Sequence, residues 1–100
     1  MNIKYSPTTL KKIEDIFQEG KYKIRYEKGK FNSGHCILED KKIVVINKFL
    51  DLEGKILALI EILPSLHIDE KMLTDGNQKL FRSLINMATN NKSIQTEMNL

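Results

Sequence analysis

The first apolar pattern along the chain predicts a helix that begins at Pro7. Ser6 is suited to cap this helix, and Pro7 fits its first position, where a missing N–H costs nothing. We expect Gly20 to end the helix in a left-handed conformation, as glycines at helix ends commonly do. The apolar residues recur at spacings of three and four, which places them on one face: Leu10, Ile13, Ile16 and Phe17.

Three stretches with strand character follow. Tyr22, Ile24 and Tyr26 alternate with charged residues, which is the two-residue period of a strand with one buried face. Beyond a turn-rich segment at 28–34, strands are predicted at about 35–38 and 42–47, the latter with four consecutive β-branched residues. A three-stranded antiparallel meander is the simplest arrangement. It leaves the β-branched strand at a sheet edge, so either the strand order differs or a partner covers that edge.

Two more helices are predicted after the strands. Asp51 is a suitable N-cap for the first, which runs to about Leu63 and stops at Pro64. Its second half is apolar in nearly every direction, so we expect it to be the central core helix. A helical turn is predicted near 70–73, a break at 75–77 and an amphipathic helix ending near 88. The sequence thus predicts an α+β fold in one domain at 1–89, with a frayed tail at 90–100.

Composition places the chain among ordinary globular proteins. It has 100 residues, of which 41% are hydrophobic and 29% charged, enough for one packed domain. Cys36 is the only cysteine, which excludes an intramolecular disulfide and fits a reducing compartment. No apolar stretch has the length of a signal peptide or of the roughly 20 residues that span a membrane. We therefore expect a cytoplasmic protein without a membrane role.

Residues suited to catalysis or metal binding are few. His35, Cys36 and His67 are the candidate soft ligands, and they form no known metal-binding spacing. Because His35 and Cys36 are neighbours in a predicted strand, their side chains should point to opposite faces, which excludes a Cys–His pair. No glycine-rich phosphate loop is present. We expect no metal site, no cofactor and no enzymatic activity.

Glu61 is the only charged residue in the apolar half of the predicted central helix. A buried carboxylate must be paired or have a raised pKa, so Glu61 is a candidate for a buried functional carboxylate. The alternative is that Glu61 lies at the solvent edge of the helix, because glutamate is rarely fully buried.

The order of a helix, a three-stranded sheet, a very apolar helix and another helix resembles the minimal core of zincin-type metallopeptidases. In that family the apolar helix carries His-Glu-x-x-His, two zinc-binding histidines with a glutamate as the general base. Aligned on Glu61, this chain reads Ile60-Glu61-Ile62-Leu63-Pro64, so neither ligand position holds a ligand. The resemblance implies a small bacterial, metallopeptidase-like domain that keeps the glutamate and has no activity.

A basic segment is the strongest local charge feature of this chain, whose net charge is +3. A row of basic side chains in this segment would follow a phosphate backbone, and Tyr22, Tyr26 or Phe31 would stack on bases if they were exposed. Strand alternation instead sends Tyr22 and Tyr26 toward the core, opposite the charged face. Five basic residues make up the segment: Lys21, Lys23, Arg25, Lys28 and Lys30.

These patterns predict a function carried by the protein surface. We expect a small non-catalytic cytoplasmic protein that acts by protein–protein interaction or self-association, with another protein or a second copy as its partner. One alternative is a nucleic-acid-associated protein that uses the basic strand at 21–30. The other is the degenerate metallopeptidase-like domain around Glu61.

Overall fold

The computed structural model describes residues 3–28 and 35–98, without the side chains of residues 35, 36, 39 and 90–98. Short 3₁₀ turns cover Glu39–Lys41, Leu63–Ser65 and Glu70–Met72, the last where a helical turn was predicted. The α+β class is confirmed. The regular elements of the described residues are α1 (Pro7–Glu19), β1 (Lys23–Glu27), β2 (His35–Leu38), β3 (Ile43–Asn47), α2 (Leu52–Ile62) and α3 (Asp75–Met98).

The sheet is mixed and not an antiparallel meander. β3 lies between β1 and β2, parallel to β1 and antiparallel to β2. Val44 and Ile46 are fully buried and Val45 is nearly so, which explains why the β-branched strand takes the central position. The predicted, purely antiparallel arrangement is wrong, because β1 pairs with β3 in parallel. Local sequence patterns do not specify which strands pair, so they could not exclude it. With β3 in the centre, the reason for expecting a partner on that strand no longer applies.

The helices form layers over one face of the sheet. α1 packs on β1, α2 packs on β3, and α3 packs on both helices. Ile24 and Tyr26 of β1 turn toward this core and pack against it, whereas Lys23 and Arg25 are exposed. α2 is the central core helix, as predicted, and its buried residues are Ile56, Ala58, Leu59, Ile60 and Ile62.

The end of α1 differs from the predicted one. Gly20 has a φ of −79°, and the left-handed residue is Lys21, with a φ of 71°. The N–H groups of Lys21 and Tyr22 donate to carbonyls in the last turn of α1, at 3.0 and 2.9 Å, which is the pattern of a Schellman motif. Position 20 needs a glycine for a steric reason, because a Cβ there would lie 2.7 Å from Cγ1 of Ile68.

α3 begins earlier and ends later than its apolar pattern indicates. Residues 75–77, predicted as a break, form its first turn, and the helix continues to Met98, into the predicted tail. The Glu19 carboxylate at the end of α1 accepts hydrogen bonds from the Thr74 N–H at 3.0 Å and from Asn77 Nδ2 at 3.1 Å. A carboxylate at a helix N-terminus satisfies free N–H groups and interacts favourably with the helix dipole. This non-local cap explains why polar turn residues are helical here.

Part of the predicted chain reversal at 28–34, including Phe31, lies outside the described residues. None of the helices in the described ranges is long and apolar enough to cross a membrane.

Candidate interaction site

The structure divides the predicted basic segment. Lys23 and Arg25 lie on the sheet face away from the helices, as predicted, but Nε of Arg25 is paired with Oε2 of Glu27 at 2.6 Å. Lys28 is exposed beyond the far end of β1, and Lys30 lies outside the described residues. The four of these basic residues that the structure describes therefore do not form one continuous row of unpaired charge.

Lys21 and Lys23 instead lie at the same end of the sheet as two lysines from another part of the chain. The Lys23 N–H donates to the Lys42 carbonyl at 2.9 Å, because β1 and β3 run parallel and begin at the same end of the sheet. Lys41 and Lys42 precede β3, and all four lysines are exposed. Lys42 is left-handed, with a φ of 53°, and its Nζ lies 5.8 Å from the centre of the Tyr22 ring. We call these four residues the lysine cluster.

Tyr22 and Tyr26 face the core, as strand alternation predicts. Tyr22 is 5% exposed, and its hydroxyl oxygen accepts a hydrogen bond from the His67 N–H at 3.1 Å. Tyr26 is partly buried and donates its hydroxyl to the Glu14 carboxylate. Burial raises the pKa of Tyr26 well above its ordinary value of 10, and the hydrogen bond to Glu14 and the charge of Glu14 act in the same direction. The Tyr22 ring is buried, and the Tyr26 ring faces the core side of the sheet with its hydroxyl bound to Glu14, so neither ring projects from the charged face to stack on bases.

β1 forms one edge of the sheet, and part of its backbone has no partner among the residues that the structure describes. Alternate residues of a strand bond to its neighbour in a parallel ladder. The Lys23 N–H and the Glu27 carbonyl are bonded to the β3 segment, at 2.9 and 3.0 Å, which turns the odd-numbered residues of β1 toward β3. The N–H and C=O groups of Ile24 and Tyr26 therefore point outward from the sheet. No hydrogen bond between described residues engages them.

A groove of about 470 Å³ runs between this edge and α1. Glu14 and Gln18 of α1 line one side, and Lys23, Ile24 and Tyr26 of β1 line the other. We call it the β1 edge groove. It offers backbone donors and acceptors, an aliphatic side chain and a cation, which are the features that bind an added strand.

Glu61 is exposed, so it is not the buried carboxylate that the apolar helix suggested. It lies one turn from Leu57, which is 41% exposed, on a stripe of α2 that faces solvent. Of the two positions that hold histidines in the metallopeptidase motif, Ile60 is buried and Pro64 is exposed. The apolar character of α2 therefore reflects packing on three sides, and one edge of the helix is exposed to solvent.

Metal-ligating side chains are not brought together in the described part of the chain. No group of three or more His, Cys, Asp or Glu residues there could hold a metal ion. His67 is exposed, and its backbone rather than its ring contacts Tyr22. His35 and Cys36 are neighbours in β2, but their side chains lie outside the described ones, so the orientation predicted for them stays a prediction.

Phe49 is an exposed aromatic residue that the sequence analysis missed. It lies in the loop between β3 and α2 and is 68% exposed. The Phe49 N–H donates to Oδ1 of Asn47 at 3.0 Å, and Oδ1 of Asp51 accepts from the Gly54 N–H at 2.7 Å. The loop is therefore fixed at both ends, and it holds an aromatic ring in water.

The chain matches no family model, no curated protein and no solved structure. The resemblance to the zincin-type core therefore rests on element order and stays a prediction.

Proposed function

We propose that the protein is a non-catalytic binding module that recognises another polypeptide through the β1 edge groove. The observation that carries the proposal is the outward-pointing backbone of Ile24 and Tyr26 beside that groove, which no described residue pairs with. An extended segment laid along β1 would satisfy these groups and extend the sheet by one strand. Main-chain bonds would supply affinity, and the side chains at the groove would supply specificity.

The charges on β1 bear directly on this proposal. Lysine and arginine on an edge strand commonly prevent unwanted pairing, because an added strand must dehydrate these charges or meet repulsion from them. Here the guanidinium of Arg25 is paired with Glu27, which reduces that obstacle in the middle of the strand. Lys23 is left as the cation at one end, so a ligand strand with a carboxylate opposite Lys23 is favoured.

A photo-cross-linking experiment tests the proposal. A benzoylphenylalanine residue replaces Lys23 on β1, and the matched control carries it in place of Lys79, which is exposed on α3. After illumination of cells that make the protein, we expect an adduct with a polypeptide at position 23 and none at position 79. The absence of any adduct at position 23, or equal adducts at both positions, would contradict a binding site at β1.

A second candidate function is binding to a nucleic-acid backbone, and the lysine cluster favours it. Four exposed lysines at one end of the sheet suit a run of phosphates. Because the two tyrosines are committed to the core, this binding would be electrostatic and would not depend on the base sequence.

Titration of single-stranded RNA and DNA by fluorescence anisotropy tests this second candidate. The variant has Lys21, Lys41 and Lys42 replaced by Gln, and the control has three exposed lysines of equal total charge replaced: Lys11, Lys12 and Lys79. We expect the cluster variant to bind roughly tenfold more weakly and with a shallower salt dependence, since each lost phosphate contact lowers the slope by about 0.7 for a single strand. Equal losses in both variants, or no binding by the wild type at low salt, would eliminate the cluster as a site.

A further inference from the structure

We infer that the polypeptide bound in the β1 edge groove is β1 of a second copy of this chain, added antiparallel about a two-fold axis that passes through Arg25. This inference rests on the proposed function, and it identifies the polypeptide that the groove binds. The antiparallel direction and the register follow from β1 alone, because the sequence of this strand is complementary to its own reverse.

The backbone of β1 is compatible with this arrangement. In an antiparallel pair, residues that face each other with outward-pointing groups exchange both N–H···O=C bonds. With Arg25 on the axis, Ile24 of one copy lies opposite Tyr26 of the other. These are the two residues of β1 whose N–H and C=O groups point away from β3. Every outward backbone group of these two residues then finds a partner, in both copies.

The side-chain charges on the outer face agree with the same register. Lys23 lies opposite Glu27 of the second copy, and opposite charges across a strand pair stabilise it. Arg25 lies opposite Arg25 of the second copy, which is a like-charge contact. Each guanidinium, however, is already paired with Glu27 of its own strand at 2.6 Å. Each Glu27 carboxylate therefore lies between Arg25 of its own chain and Lys23 of the second copy.

The inner face adds an apolar contribution. Ile24 and Tyr26 are only partly buried in the single chain, where they pack against the core. Opposite each other they form an aliphatic–aromatic pair, which is favourable across strands. A strand of five residues is a small interface, so we expect a reversible dimer with a Kd on the order of 10–100 µM.

Charge reversal followed by charge exchange tests the register. Within one chain Lys23 and Glu27 are four residues apart, about 13 Å along a strand, so they do not contact each other. In a homodimer of Lys23→Glu two carboxylates meet at each end, and in a homodimer of Glu27→Lys two ammonium groups meet. We expect each single variant to dimerise roughly tenfold or more weakly than the wild type in sedimentation equilibrium. We expect the double variant K23E/E27K to recover most of the affinity.

An equimolar mixture of the two single variants gives the sharpest readout. One chain then presents Glu at positions 23 and 27 and the other presents Lys at both, so both cross-strand pairs between positions 23 and 27 are attractive. We expect heterodimers with an affinity close to that of the wild type, although each variant alone is mainly monomeric. The control mixture combines Lys79→Glu with Glu61→Lys, two exposed positions on α3 and α2, and should show no preference for heterodimers. Circular dichroism confirms that each variant is folded.

A wild type that is strictly monomeric at millimolar concentration would overturn the second copy as occupant. A dimer that is indifferent to both charge reversals, or a mixture of variants without heterodimers, would overturn the register. The proposed function fails by a different result, the loss of all cross-links at position 23. A cross-link from position 23 to another protein, together with a monomeric chain, would retain the binding site and reject self-association.

Discussion

The turn between α1 and β1 places the edge strand beside α1, and Gly20→Ala tests how that turn is built. A methyl group at position 20 would lie 2.7 Å from Cγ1, 2.9 Å from Cδ1 and 3.0 Å from Cγ2 of Ile68. Ordinary carbon contacts are about 3.5–4.0 Å, so Ile68 must move by nearly 1 Å. Isoleucine is stiff at χ1, and overpacking of this kind costs about 1–3 kcal/mol.

The backbone at position 20 contributes little to this cost. Gly20 has a φ of −79°, which alanine adopts without strain, and the loss of glycine entropy in the unfolded chain favours alanine by about 0.4–1 kcal/mol. We therefore expect Gly20→Ala to lower the free energy of unfolding by about 1–2 kcal/mol, after subtraction of that gain.

Urea unfolding followed by circular dichroism measures the effect in two backgrounds. Ile68→Ala removes all three crowded atoms, so in that background Gly20→Ala should become neutral or slightly stabilising. A left-handed glycine at position 20, which the sequence analysis predicted, would make alanine equally costly in both backgrounds. That equality, or a neutral Gly20→Ala in the wild type, would refute the steric account.

Three further predictions concern the contacts that hold the site in place. Glu19→Ala removes the acceptor of the Thr74 N–H and should cost about 1–2 kcal/mol in urea unfolding, because it leaves the first turn of α3 uncapped. Leu84→Ala, at a fully buried position, should cost about 2–5 kcal/mol, whereas Leu57→Ala at an exposed position should change stability by less than about 0.5 kcal/mol; similar values for both would contradict the packing of the core. Tyr26→Phe tests the raised pKa of Tyr26 by unfolding at several pH values. The unfolded chain releases this proton near pH 10 and the folded chain only above that, so the stability from the hydroxyl is complete below pH 10 and is lost as the pH rises further. The stability difference between the wild type and Tyr26→Phe should therefore narrow above pH 10, and a constant difference would contradict the shift.

Features that depend on neighbouring residues could be predicted from the sequence. The start of α1 at Pro7, the alternation of β1 and the Asp51 cap of α2 all follow from local spacing or local hydrogen bonds, and the structure confirms them. The β-branched run also indicated that β3 would be either central or covered, and the central position is the one found.

Features that depend on distant residues could not be predicted. The parallel pairing of β1 with β3 joins residues 23 and 43, and no local pattern favours it over an antiparallel hairpin. The steric role of Gly20 could not be predicted, because the residue that its Cβ would meet, Ile68, is 48 positions away in the sequence. The α3 cap by Glu19 has the same cause.

The candidate site shows the same division. The direction of Tyr22 and Tyr26 toward the core followed from alternation within one strand, and it holds. The lysine cluster and the β1 edge groove arise only once β3 lies beside β1 and α1 lies beside the outer edge. Glu61 stood out because its neighbours in sequence are apolar, although burial depends on which side of α2 faces the core.

Amide hydrogen exchange along β1, followed by NMR at increasing protein concentration, tests the central claim most directly. In dilute solution the Ile24 and Tyr26 amides should exchange much faster than the Arg25 amide, which faces β3. As the concentration rises through the range in which the chain associates, Ile24 and Tyr26 should become protected while Arg25 stays unchanged. If Ile24 and Tyr26 are as protected as Arg25 in dilute solution, or exchange rapidly at every concentration, the β1 edge is not where this protein binds a second strand.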